Sequence, residues 1–215
     1  MNIENRIKYL SINLLRNQNN NINNRLNPIK FRTLAKHHYN FSNNKPYKIC
    51  AVTLLLYNID EITYSIFIKR PSYNGYHSNQ YALPGGKKEK TDITTAQTAI
   101  RETYEELGIT IKPEEIMGML DPIIIPVSNF LVFPYVVYLD EPPIINPNDF
   151  EVENFYQYPI SELLLSDSEI QTEIKIDQDF IKVPAYKIQN QIIWGATAMM
   201  LFDFKNRIEN LKPVV

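Results

Sequence analysis

The chain has 215 residues, of which 44% are hydrophobic, and a formal net charge of −2 at pH 7. This length and composition are enough for one packed domain with an added segment, and the slight negative charge argues against a general nucleic-acid-binding protein. The single cysteine, Cys50, excludes an internal disulfide and fits a reducing compartment, and no apolar run is long enough to cross a membrane.

The first 45 residues differ in charge from the rest. Residues 1–36 contain seven Lys/Arg and one Glu, which leaves 15 basic and 23 acidic residues for the remainder. Residues 5–16, NRIKYLSINLLR, predict an amphipathic helix that packs on the domain, although a basic start poor in acids is also typical of a mitochondrial presequence. The asparagine-rich residues 17–24 predict a flexible connector. We therefore divide the chain into an N-terminal segment, residues 1–45, with a possible targeting helix, and a folded domain, residues 46–215.

The domain begins with two predicted strands. Residues 49–57 and 63–69 are rich in β-branched and aromatic side chains, and a turn at residues 58–61 pairs them. A polar loop at residues 70–79 and a short strand then lead into the pair Gly85-Gly86.

A helix is predicted over residues 95–107. Thr94, followed three residues later by Gln97, fits a capping box at its start, and Gly108 is a natural C-terminal stop. Helical spacing predicts an inner face formed by Ala96, Ala99, Ile100, Thr103 and Leu107.

The remainder of the domain alternates strands and helices. The predicted elements are strands over 123–127, 130–139 and 151–158, a helix over 160–165, a hairpin of 180–187 with 191–194, and a closing helix over 195–211. Pro134 indicates a bulge or a sheet edge in the second of these strands. The fold class predicted from this order is α/β (α+β), with a mixed β-sheet between helices.

Three carboxylates crowd one side of the predicted helix, because Glu102, Glu105 and Glu106 lie at i, i+3 and i+4. Like charges at this spacing repel each other by roughly a few tenths of a kcal/mol per pair. Carboxylate oxygens are ligands for hard divalent cations such as Mg²⁺, usually together with substrate phosphates. From these residues alone, a cation site and a solvated acidic helix face both remain open.

The same stretch resembles the Nudix box, the signature of hydrolases that split a nucleoside diphosphate linked to another group. The pattern is a glycine, an acidic residue after five others, then R-E-x-x-E-E-x-G and an aliphatic residue. Its positions here are Gly86, Asp92, Arg101, Glu102, Glu105, Glu106, Gly108 and Ile109. Aspartate stands where glutamate is commoner, and eight residues, one more than usual, separate it from the arginine. This expansion resembles the coenzyme A diphosphatase branch of the family.

The resemblance to that branch extends over roughly residues 49–209. The run from Asn129 to Pro134 resembles the branch's glycine-phenylalanine-x-valine-x-proline strand, and the run from Ile193 to Ala198 resembles the tryptophan-glycine-x-threonine-alanine start of its last helix. Upstream of the glycine pair, Gly75, Asn79 and Leu83 replace a usual arginine, glycine and phenylalanine. These replacements leave the substrate open.

The resemblance implies an α/β/α sandwich and a hydrolase that depends on Mg²⁺ or Mn²⁺. It implies metal ligation by Glu102, Glu105 and Glu106, with Glu102 as a ligand or general base. Arg101, also in the implied catalytic set, is expected to hold the loop and its carboxylates rather than contact the substrate. Glu151 completes that set as an extra ligand or base, unless it is an ordinary exposed glutamate on a strand.

The expected substrate contacts are Arg70, Gly86 and Lys87. Gly86 offers backbone groups, whereas the two basic residues either meet the 3'-phosphate or pyrophosphate of coenzyme A or are surface charges. The expected partner is therefore a small-molecule nucleotide, and neither a nucleic acid nor a membrane.

Three functions remain open from the sequence. The first is hydrolysis of the pyrophosphate bond of coenzyme A or acyl-CoA to 3',5'-ADP and (acyl-)4'-phosphopantetheine. The second is hydrolysis of another nucleotide conjugate, such as NADH or ADP-ribose, and the third is a non-catalytic nucleotide-binding module. Cytosol and mitochondrion are both open as locations, and residues 212–215 lack the serine-lysine-leucine type of peroxisomal address.

Overall fold

The structure is a computed structural model that describes Leu10 and residues 46–72, 77–125, 128–176 and 179–211. Apart from Leu10, the predicted N-terminal helix and connector lie outside the described residues, as does Gly75. Leu10 is helical and fully buried in the core. In the part of the chain that the structure describes, no helix is long and apolar enough to cross a membrane.

Eight strands form a mixed main sheet. They are β1 (Lys48–Ile59), β2 (Ile62–Lys69), β3 (Tyr81–Ala82), β4 (Gly85–Lys87), β5 (Ile116–Met119), β6 (Ile123–Ile125), β7 (Phe130–Tyr138) and β8 (Asn154–Pro159). β1 is central, because it pairs in parallel with β7 and antiparallel with β2 and β4. The order is β3-β2-β1-β7-β5, with β8 on β2 and β6 on β7. The predicted pairing of the first two strands is confirmed.

Helices cover both faces of this sheet. α1 (Thr95–Leu107) packs on one face, and α2 (Ile160–Leu164) and α3 (Ala196–Glu209) pack on the other. Alternate side chains of β1 divide between the two cores: Leu54 and Leu56 pack on the α2 and α3 side, whereas Leu55 and Tyr57 pack on the side of α1. The predicted fold, a mixed sheet between helices in an α/β/α sandwich, is confirmed.

α1 has the bounds that its sequence predicts. The Thr94 side chain accepts a hydrogen bond from the backbone N–H of Gln97 at 3.2 Å, and the Gln97 side chain accepts one from the Thr94 N–H. At the other end Gly108 adopts φ 68°, a left-handed conformation that suits glycine. Because both ends are fixed by local hydrogen bonds, the position of every side chain along α1 is set by the sequence around it.

Three strands are absent from the predictions. They are β4, which begins at the glycine pair, β5, and β9 (Glu169–Ile176). β9 joins the predicted hairpin of β10 (Asp179–Ile188) and β11 (Gln191–Trp194) in a separate three-stranded antiparallel sheet. The sequence of β9, EIQTEIKI, alternates Ile or Thr with charged or amide residues, which is the pattern of a half-buried strand. The signal for this strand was therefore present in the sequence, and the prediction missed it.

Pro134 lies in the interior of β7, which is paired on both sides, so the predicted sheet edge is wrong. The carbonyl of Pro134 accepts a hydrogen bond from the N–H of Leu120 at 2.9 Å, in the gap between β5 and β6. The amide and carbonyl of one strand residue point to the same side, so the Pro134 nitrogen also faces this gap. The N–H that proline lacks would therefore have had no strand partner there, and no hydrogen bond of the sheet is lost. The register shift nearby lies in β5, between Ile116 and Gly118.

A buried pair of hydroxyls links α1 to β1 and provides a test of this packing. The Oγ1 atoms of Thr53 and Thr103 lie 2.9 Å apart, and Thr103 also donates to the Ala99 carbonyl at 2.8 Å. We expect Thr103→Val to lower the free energy of unfolding by about 1–2 kcal/mol, because Thr53 loses a partner where water is excluded. Urea unfolding measures the change. Thr110→Val, at an exposed position, is the control, and an equal effect of both variants would contradict the proposed role of the pair.

Candidate active site

The glycine pair allows two close approaches at the start of β4. β4 lies antiparallel to β1, with Gly85 opposite Val52 and Gly86 opposite Ala51. Gly85 has φ 145°, and a Cβ there would lie 2.3 Å from the Ala51 carbonyl oxygen. A Cβ on Gly86 would lie 2.3 Å from Oε2 of Glu102. The first glycine therefore lets β4 approach β1, and the second lets a carboxylate of α1 lie directly against the loop.

Glu106 is the most deeply buried carboxylate of the site. Its side chain is on the last turn of α1, the residue is 3% exposed, and its Oε2 accepts a hydrogen bond of 2.7 Å from the Gly85 N–H. Burial raises the pKa of Glu106 to about 8, the Arg70 charge and the Gly85 N–H oppose this, and the charges of Glu102 and Glu151 add to it. The carboxylate thus lies in a position where a cation would stabilise its charged form.

Glu102 lies one turn earlier on α1 and is half-buried against Gly86. Burial raises the pKa of Glu102, Arg101 lowers it, and the charges of Glu105 and Glu151 raise it further. Two adjacent carboxyl groups, Glu102 and Glu106, therefore both favour a proton or another cation.

Arg101 connects the loop to the carboxylates. Its guanidinium donates to both oxygens of Asp92, at 3.1 and 2.9 Å, to the Lys87 carbonyl at 3.0 Å and to Glu105 at 2.6 Å. It also lies 3.0 Å from Oε1 of Glu102. The bidentate Arg101 pair holds the pKa of the buried Asp92 well below its usual range, against the effect of burial. Arg101 thereby fixes the Lys87 end of the glycine turn to α1.

The other predicted site residues lie at different positions around this centre. Glu105 is exposed and bound to Arg101, and Lys87 is exposed on β4. Arg70 is half-buried, and its Nη2 donates to the Gly85 carbonyl at 2.9 Å. Arg70 thus binds the carbonyl of Gly85, while Glu106 binds its N–H.

Glu151 lies in a turn, and the strand predicted to begin there starts at Asn154, so that prediction is wrong at its first residues. The turn is tied to α1 because the N–H of Asn148 donates to the Glu106 carbonyl and the N–H of Glu151 donates to the Asn148 carbonyl, each at 2.9 Å. The Glu151 charge acts on both Glu102 and Glu106. Backbone hydrogen bonds, rather than a strand, hold Glu151 beside the carboxylates.

The donor set fits a hard divalent cation in its chemistry. Within the described residues, no three His, Cys, Asp or Glu side chains are close enough to form a ready-made metal cage. Mg²⁺ does not require one, because it keeps several waters and uses one or two carboxylates together with substrate phosphates. Glu102 and Glu106 supply such a pair. Both have raised pKa values, and Arg70 acts on Glu106 through its charge.

Comparison with known proteins identifies this arrangement. Residues 48–180, more than half of the chain, match the sequence model of the family described as NUDIX domain. The chain belongs to the Nudix family. Nudix hydrolases act on diphosphate bonds, and the glycine turn and α1 both lie within the matched residues.

Two relatives and one solved structure illustrate the similarity. The chain is 31% identical over 134 residues to the "uncharacterized Nudix hydrolase NudL" of Pectobacterium atrosepticum, covering 62% of this chain and 69% of that protein. It is 30% identical over 129 residues to the "mitochondrial coenzyme A diphosphatase NUDT8" of Homo sapiens, covering 59% of this chain and about half, 54%, of the human protein. The structure of a MutT/nudix family protein from Enterococcus faecalis has a TM-score of 0.56 at 18% identity, with 87% of this chain and 72% of that chain covered.

The sequence did not reveal how three residues support the Nudix site. Gly85 makes the close approach to β1, Asp92 anchors Arg101, and Asn148 connects the Glu151 turn to α1. For Asp92 the sequence offered an indication, because the residue occupies a position of the box pattern. For Asn148 no sequence feature indicated its role, because that role depends on a backbone contact across the fold.

Gly86→Ala tests the contact between the glycine turn and Glu102. The new Cβ would overlap the end of a flexible side chain, so we expect Glu102 to move while the fold is kept. If Glu102 has the catalytic role predicted from the sequence, a displacement of about 1 Å costs about 100-fold in rate, and kcat should fall by about that factor. Steady-state kinetics and thermal unfolding together measure the effect. An unchanged kcat would contradict a specific effect on Glu102. So would a fall in Tm large enough to explain the loss of activity by unfolding.

Asp92→Asn tests the anchor of Arg101 through its pH dependence. Because the pKa of Asp92 is lower in the folded chain than its unfolded value of about 3.9, its contribution to stability is complete above that pH and is lost as pH falls below it. We expect the variant to lose about 2–3 kcal/mol of unfolding free energy at pH 7, and less at pH 3. Urea unfolding at both pH values measures this. Asp140→Asn, at an exposed position, is the control, and a loss independent of pH would contradict the ion pair as its cause.

Proposed function

We propose that the protein hydrolyses the pyrophosphate bond of coenzyme A or acyl-CoA and releases 3',5'-ADP and (acyl-)4'-phosphopantetheine. The observation that carries the proposal is the expanded box, with eight residues between Asp92 and Arg101, which resembles the coenzyme A diphosphatase branch. The name of the human relative, a mitochondrial coenzyme A diphosphatase, supports the same substrate.

The backbone at two asparagines also supports this branch. Asn79 and Asn129 stand where the branch has glycine, and they adopt φ 59° and φ 56°. Asparagine is the side-chain-bearing residue that best tolerates this left-handed region. The two replacements therefore keep a backbone conformation that glycine adopts freely, and they are compatible with an unchanged binding loop.

In this proposal Mg²⁺ or Mn²⁺ is held by Glu102, Glu105 and Glu106. When bound, the cation supplies Lewis-acid polarisation of the phosphoryl oxygens and lowers the pKa of a water. Glu106 is positioned by the Gly85 N–H, whereas Glu102 and Glu105 are positioned by Arg101. Glu102 or Glu151 acts as the general base.

The substrate contacts follow the positions of the basic groups. Arg70, beside the Gly85 carbonyl and close enough to Glu106 to lower its pKa, offers positive charge to the pyrophosphate. Gly86 offers backbone groups, and Lys87 extends the positive charge along β4. A second candidate substrate, NADH or ADP-ribose, is favoured by Gly75, which lacks the positive charge of the branch's usual arginine.

A product-resolved hydrolysis assay tests the proposal. Coenzyme A, acetyl-CoA, NADH and ADP-ribose are offered side by side with Mg²⁺ or Mn²⁺, and products are separated by chromatography. We expect 3',5'-ADP to appear fastest, from the two coenzyme A substrates. Faster turnover of NADH or ADP-ribose would favour the second candidate, and no turnover of any substrate would favour a binding module.

Glu106→Gln is the inactive control variant for this assay. Glutamine keeps an oxygen that can accept the Gly85 N–H but removes the charge. We expect kcat to fall by about 10²- to 10³-fold, the effect of removing one electrostatic group at a reacting centre. Glu114→Gln, at an exposed position, should keep full activity. Full activity of Glu106→Gln would contradict the assigned site.

A further inference from the structure

Two lysines neighbour Cys50 near the N-terminal end of β1, and the charge of Arg70 also acts on its thiol. Lys48 lies two residues before Cys50 on the same face of the strand, and Lys87 is paired with Cys50 across from β4. Burial raises the pKa of the Cys50 thiol to about 11, Glu102 adds to this, and the charges of Arg70, Lys87 and Lys48 oppose it. The three cations therefore act on one small region at the border of the carboxylate site.

These cations lack acidic partners in the described ranges. The ion pairs between described residues involve Lys69, Arg101, Lys182, Lys205 and Arg207, but not Lys48, Arg70 or Lys87. The chain after residue 36 has 15 basic and 23 acidic residues, so acidic partners are abundant elsewhere. A cluster of unpaired cations in an acidic body provides a local attraction for anions.

Lys48 is held in position by an aromatic group. Its Nζ lies 5.6 Å from the centre of the Phe130 ring, and the two residues are register partners of the parallel strands β1 and β7. A cation at this distance is attracted to the face of the ring. The ammonium group thus has a preferred place beside Phe130, while Lys48 remains exposed to solvent.

His77 also packs near Phe130. The ring centres lie 6.4 Å apart, and the imidazole is fixed by Ser128 at 3.1 Å and by Gln80 at 3.2 Å. Burial lowers the pKa of His77, the hydrogen bond to Gln80 opposes this and the Arg70 charge adds to it, which favours the neutral ring. His77 therefore supports Phe130 without adding charge, and the positive charge of this region belongs to Lys48, Lys87 and Arg70.

We propose that Lys48, with Lys87, forms a subsite for the phosphate monoester on the ribose of the substrate and selects 3'-phosphorylated nucleotides over those that lack this group. The inference rests on the proposed function, in which the substrate carries a 3'-phosphate. Arg70, bonded to the glycine turn, lies nearer the carboxylates and serves the pyrophosphate. The two lysines neighbour Cys50, one along β1 and one across from it on β4, where a second, doubly charged phosphate group meets two ammonium groups that form no ion pair among the described residues.

Lys48→Gln tests this subsite with coenzyme A and 3'-dephospho-coenzyme A as paired substrates. One charge-assisted contact to phosphate corresponds to about a tenfold effect, so we expect the KM for coenzyme A to rise about tenfold, with kcat nearly unchanged. The KM for the dephosphorylated substrate should stay the same. Lys48→Arg should restore the preference, and Lys187→Gln, at an exposed position on β10, should behave like the unmodified chain.

Calorimetric binding of 3',5'-ADP and 5'-AMP without metal provides a readout independent of hydrolysis. We expect Lys48→Gln to weaken binding of 3',5'-ADP about tenfold and to leave 5'-AMP unaffected. Equal weakening of both nucleotides, or no change in either, overturns the subsite. If the unmodified chain leaves coenzyme A intact but binds 3',5'-ADP through Lys48, the proposed function fails and the subsite stands. If it hydrolyses coenzyme A without a Lys48-dependent preference, only the subsite fails.

Discussion

The hydrogen bond from the Gly85 N–H to the buried carboxylate of Glu106 is the interaction on which the site depends. It joins the last turn of α1 to β4, and its 2.7 Å length requires the backbone of β4 to lie close to both α1 and β1. A side chain at Gly85 would overlap the backbone of β1, so the approach is possible only with glycine. The contact also explains the burial of a carboxylate, since one N–H donor partly replaces the water that Glu106 has lost.

Arg101 pairs with only some of the carboxylates in the cluster. Its guanidinium contacts Asp92, Glu102 and Glu105, but its most complete pairing is with the buried Asp92, which accepts through both oxygens. One positive charge is therefore distributed over three carboxylates, and Glu106 receives none of these hydrogen bonds. The side chains that fix the fold of the box thus give Glu106 no guanidinium hydrogen bond, so its buried carboxyl group favours a proton or, in its place, a divalent cation.

Sequence patterns predicted the parts of the fold that local interactions determine. The bounds of α1 follow from Thr94, Gln97 and Gly108, and the strands flanking residues 58–61 follow from their own composition. Tertiary interactions decided the rest. Pro134 occupies a central strand only because β5 and β6 leave a gap opposite it. β9 is a different case, because its alternating sequence EIQTEIKI carried a local strand signal that the prediction missed. The same division applies to the site: the box placed Glu102 and Glu106 on one helix, but only the fold placed Lys48 beside Phe130.

The alternation of side chains along β4 separates two kinds of chemistry. Gly86 faces α1, where Glu102 lies against it, and the next residue, Lys87, faces the opposite side with its partner Cys50. Negative charge therefore comes from α1 on one face of the sheet, and the positive charge of Lys48 and Lys87 lies on the other. A substrate with two phosphate-bearing parts can meet both at the edge of β4, with the bond to be broken near the carboxylates. Reaction and selection then depend on different side chains, so that a change at Lys48 alters which nucleotide is preferred without moving the groups that hydrolyse it.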